Sequence, residues 1–274
     1  MTTPPQAEEA VTYVFAVCRR RVSLDLGAVT GHGEHAPVRT VTAGALTAVV
    51  QEVPAADHSA EALQQRLGDR AELERCARAH HEVVAAVAAC VPAVPLPLAT
   101  IYLNEDRARR AVAADARRFL TALDRIEGRV EWGVKVYSAN RPAPVAPREP
   151  ARRTVPDSGA GHAYLERVRG RHQARESRQE ASWKSAERVD TALRDIAVAG
   201  RRLRAHAPAE GSGGHWRQVL NAAYLVCARR EHELTARIEE LRNCPEFRAG
   251  MHIEVTGPWV PYSFVDGGET DDHA

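Results

Sequence analysis

The sequence predicts an α+β protein of two domains, each approximately a ferredoxin-like βαββαβ sandwich, with a long helix in the second. Three observations carry that prediction. In Arg129-Val-Glu-Trp-Gly-Val-Lys-Val-Tyr137, Val130, Trp132, Val134 and Val136 alternate with Glu131, Lys135 and Tyr137, the period of two of a strand with one buried face. Helical spacing of apolar residues dominates on both sides of that strand, from Ala60 to Cys90 and Glu105 to about Glu127 before it and from Gly161 to Asp195 after it. Short apolar runs bounded by glycine and proline then give the same element order in both halves, without a residue-level repeat.

Taken in order, Thr12 to Cys18 is a buried first strand. Residues 23–36 carry three glycines and no sustained period, so a short helical turn and a loop are expected. Pro37–Thr42 and Ala45–Val53 alternate around Ala43-Gly44 as a hairpin. Asp57 or Ser59 caps a helical stretch from Ala60 to Cys90, with a break near Gly68-Asp69. Val94 to Tyr102 is extended and punctuated by prolines. Asn104 caps a helix from Glu105 to about Glu127, and Gly128 stops it. Past the mid-chain strand, Ala139–Ser158 holds five prolines and reads as a mobile loop. Gly161 to Asp195 is one helix, roughly 50 Å long at 1.5 Å per residue. Its seam is apolar at both ends but holds His172, Arg175, Gln179 and Ser182 between them, with Trp183 alongside. Ala197–Arg204 suits either a continued helix or a strand. Val219–Cys227 is a strand buried on both faces, Glu231–Arg242 a helix ended by Pro245, and Met251–Thr256 the last strand. The boundaries that follow are an N-terminal modified ferredoxin-like domain at 1–128, a C-terminal α+β domain at 129–265 with the long helix 161–195, and a disordered acidic tail at 266–274.

Composition narrows the function classes. With 274 residues the chain holds one large domain or two ordinary ones. Apolar residues make up 44% but aromatic ones only 5%, which suits a core of close-packed, alanine-rich helices. A net charge of +1 gives no electrostatic case for nucleic acid or an anionic membrane. The five cysteines are scattered and form no CxxC or Cys/His cluster, as expected of reduced thiols in the cytoplasm. Residues 1–9 lack the basic and apolar regions of a signal peptide. The most apolar segment, Val83–Leu103, is interrupted by Pro92, Pro95 and Pro97, which no single spanning helix tolerates.

Candidate chemistry is sparse. Adjacent His80 and His81 point about 100° apart on a helix and cannot share a metal as an i, i+4 pair can; Ala85 stands where HExxH needs its second histidine. Ser138, Ser158 and Ser263 lack a GxSxG setting. Gly211-Ser-Gly-Gly214 lacks the lysine of a phosphate loop. The arginines of 167–178 alternate with Glu166, Glu176 and Glu180, as on a solvated mixed-charge face. No catalytic, cofactor-binding or metal-binding residue is expected. Gly257-Pro-Trp-Val-Pro-Tyr-Ser-Phe264 is different: two prolines restrict a segment whose Trp259, Tyr262 and Phe264 must dock on the protein itself or on a partner. The candidate partner-binding residues are Trp259, Tyr262 and Phe264, with Arg175 and Trp183 in the polar middle of the long helix.

Arg78-Ala-His-His-Glu-Val-Val84, the Pro95-Leu96 to Thr100 segment, Arg129–Tyr137, Ala163-Tyr-Leu-Glu166, Leu220-Asn-Ala-Ala-Tyr-Leu-Val226 and Gly257–Phe264 together resemble the gas vesicle protein family GvpF/GvpL, in the family's order and over nearly the whole chain. One departure is Pro97-Leu98-Ala99, where the family often has Arg-Phe-Gly. The resemblance implies a minor gas vesicle component or assembly factor, without enzymatic activity. It would bind the small hydrophobic shell protein GvpA, and other gas vesicle proteins, in the cytoplasm and at the vesicle, and limit shell-protein aggregation. Two alternatives from other classes are an enzyme, or a ligand-binding regulatory protein, on a duplicated ferredoxin-like scaffold.

Overall fold

The structure, a computed structural model, describes residues 10–20, 24–33, 36–139, 160–204, 216–248 and 250–265. The loop assigned to 140–158, Gly211–Gly214 and the acidic residues 266–274 lie outside the described residues. The chain groups into two compact units, one of Met1–Glu131 with Pro258–Ala274, the other Trp132–Gly257. Sequence order alone places 258–265 with the second half of the chain; their packing places them with the first.

The first unit contains β1 (Ala10–Arg19), β2 (Arg39–Ala43), β3 (Leu46–Pro54), α1 (Ala60–Gly68), α2 (Arg70–Cys90), β4 (Ala93–Pro95), β5 (Ile101–Tyr102), α3 (Glu105–Ala114) and α4 (Ala116–Ile126). Its sheet runs β2-β3-β1-β4, with β5 also paired to β1. That order is compatible with a βαββαβ sandwich. β1 lies at the centre, antiparallel to β3, β4 and β5, and is buried on both faces, hence its unbroken apolar run. A register shift between Val14 and Ala16 resets the alternation. Val14 and Val17 therefore face the α3/α4 side with Phe119 and Leu123, while Tyr13, Phe15 and Cys18 face Val83, Val84 and Val87 of α2.

Local signals set the ends of these elements. Gly44 (φ +64°) turns the β2–β3 hairpin and Gly128 (φ +67°) ends the helical run, both in the left-handed region that glycine enters without strain. Ser59, Asp69 and Asn104 cap α1, α2 and α3 by accepting backbone N–H groups of Ala62, Glu72 and Arg107. Two expectations change. The stretch after β1 forms turns at 27–28 and 31–32 and no helix among its described residues. Gln51 takes the place of helical hydrogen bonding: its side chain donates to the carbonyls of Thr30, Gly33 and Ala36 and accepts from the His32 N–H. The helix expected from 105 to 127 is two, because Asp115 (φ −91°, ψ 14°) leaves helical geometry and donates its N–H to both Ala111 and Ala113.

The second unit is built from β6 (Arg129–Ala139), α5 (Ala160–Arg194), β7 (Ala199–Arg202), β8 (Trp216–Cys227), α6 (Glu231–Asn243), α7 (Pro245–Arg248) and β9 (Met251–Trp259). Its sheet order is β7-β8-β6-β9. Counting strands from β6 gives the same 2-3-1-4 order as the first unit, so the repeated topology read from element order is present in the sheets. Both main helices cover one face: Ala186, Val189 and Leu193 of α5 and Leu234, Ile238 and Leu241 of α6 meet Val134, Val136, Tyr224 and Ile253. The ambiguous 197–204 stretch is an edge strand antiparallel to β8. Gly200 allows it, since a Cβ there would lie 3.2 Å from the Tyr224 ring and 3.3 Å from the Arg194 guanidinium. Pro245 begins α7 rather than merely ending α6, a position where its missing N–H costs nothing.

Candidate partner-binding site

The Pro-aromatic segment begins inside β9, where Gly257 has a φ of +132°, and continues past the strand's end at Trp259. From Pro258 on it belongs to the first unit and lies as a strap across it. Val260 and Tyr262 pack on the α2-side core. The Tyr262 hydroxyl sits 3.2 Å from Nδ1 of His81, and the Trp259 indole meets the His81 ring edge-on at 5.6 Å. Residues 262–264 form a 3₁₀ turn. Phe264 (4% exposed) and Val265 (8%) end the strap in the core; Val265 joins the α3/α4 side.

One carboxylate fastens this strap. The Ser263 N–H donates to Oε2 of Glu131 at 2.8 Å and the Ser263 hydroxyl to Oε1 at 2.6 Å. Glu131 is therefore buried at 9% exposure, a correction to the reading of it as a solvent-facing strand charge. The alternation was right, but the outward face of β6 at this point is covered by the strap. No local signal marks the pairing, because the partners stand 132 positions apart. Burial, with the nearby Glu131 charge, pushes the Tyr262 hydroxyl up to about 12, so it stays a neutral hydrogen-bonding group.

The candidate residues thus separate by role. Phe264 is a core anchor and Tyr262 a half-buried one, whereas Trp259 remains 45% exposed and presents its indole to solvent on a fixed backbone. His80 and His81 point to different partners. His80 is buried, with Nδ1 hydrogen-bonded to the Tyr13 hydroxyl at 2.9 Å; His81 holds the strap. Among the described residues no group of three His, Cys, Asp or Glu side chains is placed to hold a metal ion.

In the second unit, α5 carries the other two candidates. Arg175 is exposed and Trp183 is 44% exposed. The helix is polar around this stretch and held by i, i+4 pairs, His172–Glu176 at 3.2 Å and Glu180–Lys184 at 2.8 Å. Seam residue Ser182 donates to the Arg178 carbonyl at 2.8 Å and lies 2.8 Å from the Ser138 hydroxyl. Three residues after Trp183 the seam becomes apolar and buried at Ala186. The indole therefore sits at the border between the packed and solvated parts of the helix.

The model of the family described as gas vesicle synthesis protein GvpL/GvpF matches residues 11–266. The chain belongs to that family. Gas vesicle protein L of Streptomyces sp. (strain CB03234) is 36% identical to it over 275 aligned positions, covering 97% of this chain and 96% of that relative. The crystal structure of GvpF from Anabaena sp. PCC7120 superposes with a TM-score of 0.62 at 16% identity, covering 97% of this chain and all (100%) of the other. GvpF from Microcystis aeruginosa gives 0.62 at 15% identity, covering 93% and 99%. At such identities these two structures speak to the fold, which they share. The GvpL/GvpF relationship assigns the chain a gas vesicle role and an association with that organelle, in a family of gas vesicle proteins rather than enzymes. No helix among the described residues is long and apolar enough to cross a membrane.

Proposed function

We propose that this GvpL/GvpF family member binds the small hydrophobic shell protein GvpA and limits its aggregation before or during shell growth, without turning over a substrate. The observation that carries this reading is the exposed indole of Trp259 on a strap fixed by the Glu131–Ser263 hydrogen bonds, the His81–Tyr262 contact and the burial of Phe264. An aromatic side chain held rigidly in water gives up little conformational entropy when covered, the property of an interface anchor. Trp183, half-exposed on α5 beside a mixed-charge helix face, is a second such anchor on the other unit. Apolar burial then supplies most of the affinity, because a net charge of +1 gives weak long-range steering.

Co-expression with the shell protein followed by capture at about 0.05 M and about 0.5 M salt tests this, since screening acts mainly on exposed charges. Retention at both salts is expected. No retention at either removes the partner; retention at low salt only removes the apolar mechanism and turns attention to Arg175 and its neighbours.

A further inference from the structure

Under α1 the first unit has a small cavity of about 10 Å³, lined among others by Tyr13, His32, His58, Arg66 and Cys76. The Tyr13 ring lies 4.3 Å from His32, 6.4 Å from His58 and 5.8 Å from His80, and His32 and His58 are 6.1 Å apart. Three imidazoles therefore gather round one tyrosine, and among the described residues no carboxylate lines the cavity. Its walls are held differently. On the inner side the Tyr13 hydroxyl is hydrogen-bonded to the Ala99 N–H and to His80 Nδ1, both at 2.9 Å, and the His32 N–H donates to Gln51. The outer side is the stretch 56–68, a 3₁₀ turn at Ala56–His58 followed by α1, in which no described side chain is buried. Two of its hydrogen bonds are local, from His58 Nδ1 to the Pro54 carbonyl and from Arg66 to the Asp57 carbonyl, each 3.0 Å. Arg66 ties it to α2, 3.5 Å from the Cys76 sulfur and 3.5 Å from Glu72.

We propose that residues 56–68 form an acid-released flap that gates the Cys76 thiol. A carbonyl only accepts hydrogen bonds, so His58 Nδ1 already carries a proton for Pro54 and a second proton goes to Nε2. That charge, like one on His32, arises beside the Arg66 guanidinium at the cavity wall. The charged and titratable groups acting on the two imidazoles come from every neighbouring element. Arg66 on the flap and Arg75 and His80 on α2 oppose a proton; Asp57, next to His58, favours one. Glu72 is engaged by Arg66 and Arg75, and the Tyr13 hydroxyl and Cys76 thiol complete the wall. Burial is the main reason why both imidazoles resist a proton in the closed form. Lifting the flap hydrates them, so the open form binds more protons and acid shifts the balance towards it. The interior of the sheet need not move, because β1 keeps its own pairing to β3, β4 and β5. Opening of this kind is local, drawn from the least buried element of the unit, and it uncovers Cys76, which is 7% exposed under the closed flap.

Pulsed labelling of the full chain with a dipyridyl disulfide, which reacts with thiols in acid, tests this at pH 7 and pH 5, read peptide by peptide by mass spectrometry. The first unit supplies its own references: Cys90 is exposed, and Cys18, fully buried in β1, reports global opening. The ratio of Cys76 to Cys90 labelling is expected to rise about tenfold from pH 7 to pH 5, the scale that two depressed imidazoles sustain, while Cys18 stays protected. His58→Asn keeps a donor for the Pro54 carbonyl without the titration; combined with His32→Phe it should reduce the rise to less than about twofold. An unchanged ratio in the parent chain overturns the proposal. Labelling of Cys18 in step with Cys76 also overturns it, since the opening is then global. A full rise in the double variant overturns it too, because the two histidines are then not the trigger.

Discussion

Tyr224 on β8 donates a 2.7 Å hydrogen bond to Oδ1 of Asp190 on α5. The same carboxylate, only 6% exposed, also receives Arg194 at 3.2 Å and Arg202 at 2.9 Å. Burial alone would raise the pKa of Asp190; the Tyr224 and Arg202 hydrogen bonds outweigh it and hold the group below its ordinary value. The Tyr224 hydroxyl in turn is pushed up by burial and by the Asp190 charge. One carboxylate thereby ties the long helix to the centre of its sheet and, through Arg202, to the edge strand β7.

Replacing Asp190 with Ala leaves the buried tyrosine hydroxyl and two guanidinium groups without their common partner. A loss of about 1–3 kcal/mol is expected in urea unfolding at neutral pH, the cost of leaving the buried Tyr224 hydroxyl unsatisfied, since the Arg194 and Arg202 side chains are 39% and 58% exposed. Because the folded pKa is depressed, this stabilisation is present above the unfolded value near 3.8 and is lost as pH falls through the folded one. A loss below about 1 kcal/mol would show that the network is incidental to the packing of α5.

Ala99 is the one described non-glycine residue with positive φ, at +64°, and its N–H donates to the Tyr13 hydroxyl at 2.9 Å. A left-handed conformation costs an L residue about 1–2 kcal/mol, while glycine adds about 0.4–1 kcal/mol of unfolded-state entropy. Ala99→Gly should therefore stabilise the first unit by about 0.5–1 kcal/mol and raise its Tm by a few degrees. A lowered Tm would mean that the Ala99 methyl contributes packing that outweighs the strain.

That position also shows which parts of the chain were legible. Gly44, Gly128 and Asn104 announce their turns and cap in the residues themselves, because the physics involved is local. Ala99 does not: its φ of +64° lies in the region that favours glycine, and an alanine gives no sign of it. The stretch at 197–204 is undecidable by period because the strand is short; pairing of Ala199–Arg202 with β8 decides it. Gln51 looked like an ordinary strand residue, yet it organises a loop some twenty positions upstream. Glu131 was read as solvent-facing because nothing near it in sequence reveals the strap. Of the candidate site, the aromatic cluster was recognisable by composition. The division into buried anchors and one exposed indole depends on long-range packing.

Acid should act first on the histidines of the first unit. Burial lowers His32 to about 3 and His80 to about 4, from an ordinary value of 6.5. His32 stacks on Phe15 at 5.4 Å. Among the described residues neither buried Nε2 atom has a hydrogen-bond partner, and the Leu96 carbonyl near His80 only partly offsets its burial. Below 6.5 the unfolded chain binds protons that the folded chain refuses, so stability rises with pH from about 3 to 6.5 and falls on acidification through that window. At pH 5 each histidine should cost about 2 kcal/mol. The slope of unfolding free energy between pH 4.5 and 6.5 is the measurement. His32→Phe should flatten it whatever the variant's stability at neutral pH, and an unchanged slope would acquit His32.

The strap gives two substitutions that should behave in opposite ways. Glu131→Ala removes the acceptor of the Ser263 N–H and hydroxyl, leaving a partly buried donor unsatisfied at a cost of about 1–3 kcal/mol. It should therefore lower the Tm of the first unit and free the strap, seen as faster hydrogen exchange at Tyr262–Phe264. Trp259→Ala removes a side chain that is 45% exposed and should change stability by less than about 1 kcal/mol. If Trp259 is the anchor for the shell protein, the second variant keeps its Tm and its protected strap yet loses capture of the shell protein at both salt concentrations. Full capture by Trp259→Ala would leave the indole without that role, and a large drop in its Tm would show that the side chain acts by holding His81 in place.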